Sequence, residues 1–512
     1  MSRTQNSLKN MAASLIGQFG SIVLRFACRT VFIYVLGKEF LGISSLYTNI
    51  LTLLSVSELG ISSAITFSLY RPLAEGDNAK VSAIMQFFKN AYRIVGLVIL
   101  VIGLCLIPFL PTLMNGTTDK VNIYLYYLLY LAQTVVTYFF FAYKQTILFA
   151  DQKKYLVDYV VFGANVVTTL LQILVLVIRE SFFEYTIALI ISGVVTNLIV
   201  AIIVDKKYPY LKDKAPKLSG EEVKEIFKQV YAMFLYRVCN VVGTATDNLI
   251  ISSNINVLMV GLYDNYYLII NAVQKVLSHI LGAFSGSLGN LYVLESDTKN
   301  EQVFRCLNLV NLWLITLSSV CFMILFQPFI TMWIGEEYLF TPVVLYIIVM
   351  NFATNYMQGV MQIYKDVTGL FVKGKYRPVA TVILNLVISI ILVKKMGIAG
   401  VFLGSIISRM CTTWAYDGWL IYTHAFHMSP IKFYADSIVC AIVITVLSIG
   451  IETLCTYAEV PVTVWGFIAR GIICVAITNM ALLLLYGRRE EFKIVAQKAK
   501  SIFFSRFIKG RN

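Results

Sequence analysis

Four polar residues punctuate the first apolar run of the chain: Ser14, Gln18, Arg25 and Arg29, at spacings of 4, 7 and 4. At roughly 100° per residue these positions share one helical face. A later run repeats the pattern with Asp264, Asn271, Lys275 and His279, at spacings of 7, 4 and 4. The run just before it carries Arg237, Asp247 and Asn248, and another places Glu58 beside Ser55 and Ser62. In a bilayer each such charge costs at least about 2.5–3.5 kcal/mol at mid-depth, so these side chains are expected to face an internal cavity.

The chemistry they suggest is anion binding. Arginine's planar fork suits bidentate contact with phosphate oxygens, and an apolar surround strengthens it. Arg25, Arg29, Arg237 and Lys275, with Gln18 and Asn271 as neutral hydrogen-bonding groups, are therefore candidates to hold a diphosphate head group. Glu58, Asp247 and Asp264 cannot share that role. In a low-dielectric cavity a carboxylate takes up a proton or a cation, so these three either couple transport to an ion or neutralise the arginines. The alternative for the whole set is that its ions pair between helices and only fix packing. Charges nearer the ends of runs (Lys89, Arg93, Lys144, Asp158, Asp366, Arg409 and Asp436) are expected to snorkel to the interface.

The elements that must position these groups follow from composition. The 512 residues are 58% hydrophobic and 14% charged, too apolar for a water-soluble globule. A helix needs roughly 20 apolar residues to cross a hydrocarbon core of about 30 Å, and runs of that length recur along the chain. A β-barrel would instead show alternating segments of about ten residues, so the expected fold is all-α and polytopic. Fourteen transmembrane helices are read at 11–36, 40–70, 82–113, 121–150, 156–178, 182–204, 230–252, 257–291, 303–326, 341–364, 376–396, 398–422, 433–454 and 462–486. The first contains Arg25 and Arg29 and is longer than the apolar core of a signal peptide.

Charge orients these spans. With both termini cytoplasmic, the inside segments hold 28 of the 42 basic residues and the outside loops only five, of which Lys394 and Lys395 are the pair that argues against the assignment. The formal charge of +14 is then a property of loops facing an anionic leaflet, and nucleic-acid binding is not implied. The tail 487–512 interleaves Phe492, Phe503, Phe504 and Phe507 with Lys and Arg, as an amphipathic helix on the inner surface would. Nine scattered cysteines include no C-x-x-C pair, and three histidines offer no zinc spacing, so no metal site or bound cofactor is expected.

A shift of 219 residues lays Leu41-Gly42-Ile43 on Val260-Gly261-Leu262, and one of 221 lays Gln152-Lys153-Lys154-Tyr155 on Lys373-Gly374-Lys375-Tyr376. The implied plan is a six-helix lobe at 1–204, a cytoplasmic linker at 205–229, a second six-helix lobe at 230–425, helices 13 and 14 within 426–486, and the basic tail. Within the linker, Ser219-Gly220-Glu221-Glu222 should cap a short surface helix. Repeats of this kind occur in transporters whose halves rock about a midplane site.

Leu36-Gly37-Lys38-Glu39-Phe40-Leu41-Gly42, Glu58-Leu59-Gly60-Ile61 and Leu69-Tyr70-Arg71-Pro72-Leu73, followed by Val260-Gly261-Leu262-Tyr263 and Gly289-Asn290-Leu291, are similar to segments of polysaccharide repeat-unit flippases. These belong to the multidrug, oligosaccharidyl-lipid and polysaccharide exporter superfamily. The resemblance implies a MATE-like pair of lobes and a bacterial cytoplasmic membrane location. It also implies a monomer that moves an undecaprenyl-diphosphate-linked oligosaccharide from the inner to the outer leaflet by alternating access, with no enzymatic step. Partners would be the lipid-linked oligosaccharide, membrane lipids and other polysaccharide assembly proteins, and Na⁺ or H⁺ coupling stays open. In related lipid II flippases basic residues of the first helix line the cavity, which points to Arg25 and Arg29. A drug or cation exporter would favour an acidic, aromatic cavity, and a glycan polymerase or ligase a large outside loop, whereas no outside loop here exceeds about twenty residues.

Overall fold

The computed structural model describes residues 3–55, 61–113, 122–151, 153–212, 216, 218–282, 288, 296–368, 370, 373–374 and 376–497. Among them every regular element is a helix. Two compact units divide the chain, Met1–Leu262 and Tyr263–Asn512.

The first unit opens with α1 (Arg3–Leu54), broken at Gly37, where φ is +78°. Glycine adopts that conformation without a Cβ clash, so a single residue turns the chain between the two spans expected at 11–36 and 40–70. Next come α2 (Ile61–Glu75) and α3 (Asn78–Cys105), whose Asp77 cap accepts from the Lys80 amide at 2.9 Å. The following span is α4 (Ile123–Phe139) and α5 (Gln145–Ala150), bent by 50° where Phe141 takes a left-handed φ of 61°. The pair α6 (Lys154–Arg179) and α7 (Phe182–Lys207) follows.

Helix α8 (Gly220–Asn254) begins with the expected Ser219/Glu222 capping box, but it is not short. It runs for 35 residues, because no glycine or proline interrupts the helical pattern before Gly243. This helix packs on α1 and α2 and belongs to the first unit. The chain leading to it is anchored there as well: the Tyr208 hydroxyl donates to Asp151 at 2.5 Å, Lys144 pairs with Asp205 at 2.5 Å, and Ser82 donates to the Tyr210 carbonyl at 3.2 Å.

Helix α9 (Val257–Gly282) carries the chain into the second unit. There follow α10 (Asp297–Ile334), α11 (Pro342–Tyr356), α12 (Gly359–Val367), α13 (Arg377–Met396) and α14 (Ile398–Arg409). A π-helical stretch over Met410–Asp417 leads to α15 (Gly418–His424), and α16 (Ile431–Tyr457) and α17 (Val464–Tyr486) complete the unit. Its interior is built on the spans Asp297–Ile334, Pro342–Lys365 and Ile398–His424, each 56% buried, against 17–28% for Arg377–Met396, Ile431–Tyr457 and Val464–Tyr486. Helices α13 and α14 approach closely at Gly400 and Gly404, and a buried polar seam joins them: Asn385 donates to Ser405 at 2.7 Å and Ser389 to the Val401 carbonyl at 3.1 Å.

Ten helices among the described residues are long and apolar enough to span a membrane, or eleven with the bent α4/α5 pair. The reading of fourteen counted the two arms of α1 separately and included α8 and α9. Both are long enough to cross, but their polar residues lower the hydropathy on which such a count depends. Past α17 the chain stays on the second unit: Phe492 stacks on Trp313 with centroids 5.7 Å apart, and Arg489 donates to Asp436 at 2.7 Å. The remaining tail phenylalanines lie outside the described residues.

Candidate functional site

In the first unit, α1 presents its arginines differently. Arg25 is exposed, while Arg29, one turn on, is half-buried and within electrostatic reach of Cys28, Tyr130 and Tyr185. These neighbours form a fixed polar shell. The Cys28 thiol meets the Gln172 carbonyl oxygen at 3.6 Å and the Tyr185 hydroxyl at 3.9 Å, and Tyr130 shares a 2.7 Å hydrogen bond with Ser44. Phe32 packs edge-on against Phe182 and Tyr185, which holds the turn carrying Arg29 in place. The Gln172 amide nitrogen is buried with no hydrogen-bond partner among the described residues, a donor sequence reading missed because glutamine in an apolar run has no distinguishing spacing.

Helix α8 contributes Asp247 and Asn248, 8% and 7% exposed, in the same unit as the arginines. The side chains of Gln18 and Arg237, and Glu58 altogether, lie outside the described residues. In the second unit, Asp264, Asn271 and Lys275 are half-buried along α9. Asp264 lies within electrostatic reach of Tyr267, whose ring neighbours Tyr263, and Tyr263 packs on Phe402 at 4.6 Å. The side chain of His279 is again outside the described residues.

Three further charge clusters were not read from the sequence as site features. Lys365 donates to Asp417 at 2.8 Å, with side chains 1% and 2% exposed, and Arg377 reaches the same oxygen at 3.1 Å while donating to Thr413 at 2.8 Å. In sequence, Lys365 directly follows the span read at 341–364 and Arg377 opens the one read at 376–396, so both fall among the inside basic residues. The fold withdraws both into the protein, because Asp417 at the end of the π-helical stretch supplies a buried counter-charge. That acidic residue in an otherwise apolar span was the available signal.

Arg409 was expected to snorkel. It lies near the middle of the 27-residue span Ile398–His424 and donates instead to the Asn351 carbonyl at 2.9 Å, the Asn351 side-chain oxygen at 2.6 Å and Thr354 at 3.2 Å. Arg470, 8% exposed on α17, caps the Val460 carbonyl at 3.0 Å beside Glu452. Each of these arginines has found acceptors within its own unit, which is how a bilayer protein retains a guanidinium at depth.

A family model described as polysaccharide biosynthesis protein matches residues 7–284. Among solved structures, the lipid II flippase MurJ in an inward closed conformation aligns with a TM-score of 0.68 at 16% identity, covering 93% of this chain and all of that one. An inward-facing multidrug resistance MATE transporter of the MOP superfamily aligns at 0.59 and 14% identity, over 81% of this chain and 95% of that one. A variant of the Vibrio cholerae MATE transporter VcmN aligns at 0.55 and 16%, over 83% and 98%. No curated protein sequence matches. The chain therefore shares its fold with these structures, a lipid II flippase and MATE transporters. With more than half of its residues under that family model, the chain belongs to the polysaccharide biosynthesis protein family.

Proposed function

We propose that the chain flips an undecaprenyl-diphosphate-linked oligosaccharide from the inner to the outer leaflet of a bacterial cytoplasmic membrane, for cell-surface polysaccharide assembly. The observation that carries the reading is the pair Arg25 and Arg29 on α1 of a chain in the polysaccharide biosynthesis family, one arginine exposed and the other held in a polar and aromatic shell. Guanidinium groups bind diphosphate oxygens through paired, charge-assisted hydrogen bonds, and a low-dielectric surround strengthens them. Lys275 and Asn271 on α9, with Arg237 and Gln18, complete the proposed contacts. Asp247, Asp264 and Glu58 either exchange Na⁺ or H⁺ or balance the arginines. The lobes alternate access, both termini are cytoplasmic, and the monomer suffices.

The MATE fold alone also accommodates drug export, but the basic residues of α1 favour an anion. Reconstitution separates the two. Purified protein in liposomes should move a fluorescent polyprenyl-diphosphate glycolipid between leaflets and leave cationic dyes in place. Dye transport without glycolipid movement would reverse the assignment.

A further inference from the structure

Lys89 and Arg93 stand one turn apart on α3, and neither has a carboxylate partner among the described residues. The cations around them do: Lys80 meets Glu222 at 2.9 Å, Lys144 meets Asp205 at 2.5 Å, and Lys154 meets Asp158 at 3.4 Å. Arg93 and its neighbour Asn90 are exposed and Lys89 is half-exposed, so two positive charges remain on the outer face of the unit.

The same face changes character at the next residue. Ile94, Leu97 and Val101 are 63%, 55% and 52% exposed, and no polar side chain stronger than Cys105 or Thr112 occurs over 94–113. Exposed aliphatic side chains on a helix long and apolar enough to span a membrane face lipid tails. Those residues close the candidate span Asn78–Leu113, and their number is about the twenty that a crossing of the hydrocarbon core needs. Arg93 thus marks one hydrocarbon boundary, at the level of lipid phosphates, with an aliphatic rail running from it into the bilayer.

We propose that Lys89 and Arg93 form a binding site for an anionic glycerophospholipid, phosphate on the two cations and one acyl chain along Ile94, Leu97 and Val101. Charge complementarity selects the head group. Two cations without a salt bridge among the described residues attract a lipid with net negative charge, whereas a zwitterionic head group brings its own ammonium to the same place. The site sits on the lipid-facing surface of one unit and is independent of which cargo the chain moves.

Native mass spectrometry of the full chain in neutral detergent, with equal amounts of phosphatidylglycerol and phosphatidylcholine of matched chains, tests it. Preferential retention of phosphatidylglycerol by about thirty-fold is expected, two cations acting at the scale of surface lipid attraction. The preference should vanish in the Lys89→Gln, Arg93→Gln double variant and survive in Lys394→Gln, Lys395→Gln, which removes an equal charge from exposed positions on α13 of the other unit. Arg93→Gln alone changes only an exposed side chain and should lose most of the preference even if the double variant does not fold. Equal retention of both lipids by the wild type overturns the site. So does an equal loss in the Lys394/Lys395 control.

Discussion

Gly42 and Gly261 meet at backbone contact: a Cβ placed on Gly261 would lie 2.8 Å from the Gly42 nitrogen, and one on Gly42 would overlap the Val257 carbonyl. The shift of 219 residues that revealed the internal repeat aligns these same two glycines. Helix α1 beyond its break crosses the start of α9 at the pair, and backbone atoms cannot turn aside as a side chain can. Gly42→Val should therefore lower stability by about 1–3 kcal/mol, the usual cost of overpacking. Thermal unfolding in detergent reads this out, and a wild-type melting point would show that the crossing is loose.

Asp417 pairs with two cations, the buried Lys365 and the half-buried Arg377. Removing one member of a buried ionic cluster typically costs about 3–5 kcal/mol, since the remaining charge stays desolvated. Asp417→Asn should accordingly lower the melting temperature sharply. Adding Lys365→Met to that variant should restore part of the loss. Additive losses in the double variant would mean that the two groups do not compensate one another.

The Arg409 contacts are directional, with one terminal nitrogen on the Asn351 side-chain oxygen and the other on its carbonyl and Thr354. Lysine keeps the charge and loses the fork. We predict that Arg409→Lys and Arg409→Met are both destabilised, by about 1.5–3 kcal/mol, the range for hydrogen bonds to a charged group. Unfolding of Arg409→Lys at the wild-type temperature would reduce the arginine's role to its charge.

At the start of α8, hydrogen bonds from Lys80 and then from the Ser219 amide and hydroxyl hold the Glu222 carboxyl down at about 2, from an ordinary 4.5. A depressed carboxylate contributes stability above its unfolded value and loses it as pH falls towards the folded one. Protection of the first turn from hydrogen exchange, corrected for intrinsic rates, should thus be level from pH 8 to 5 and decline only below about 4.5. Glu222→Gln should remove that dependence. A decline between pH 8 and 6 would point to another group.

Periodicity made much of this molecule legible. Apolar runs of membrane-crossing length became helices, including the shortest of the ten, Arg377–Met396. Ser219 with Glu222 formed the expected capping box. Tertiary partners were not legible. Arg409 was grouped with the span-end charges although it lies near the middle of 398–422, and sequence does not show that Asn351 on another helix supplies two acceptors. Lys365 and Arg377 likewise read as loop cations until the fold brings them to Asp417, 52 and 40 positions away. Gly37 was recorded in a motif, yet its break depends on a positive φ that sequence alone does not assign.

Arg25 and Arg29 separate binding from folding because the fold treats them differently. Arg29 sits among Cys28, Tyr130 and Tyr185, so Arg29→Ala should reduce both stability and glycolipid movement. Arg25 is exposed, and Arg25→Ala should leave the melting temperature unchanged while slowing movement by about ten- to a hundredfold, the worth of one charge-assisted contact to phosphate. Arg25→Lys should recover part of the rate, since it restores the charge without the bidentate fork. Initial rates of leaflet exchange in liposomes, at matched protein density, measure all three. If Arg25→Ala moved the glycolipid at the wild-type rate, α1 would not be where the diphosphate binds, and Gln172, a buried donor of the same unit without a hydrogen-bond partner among the described residues, would be the next position to vary.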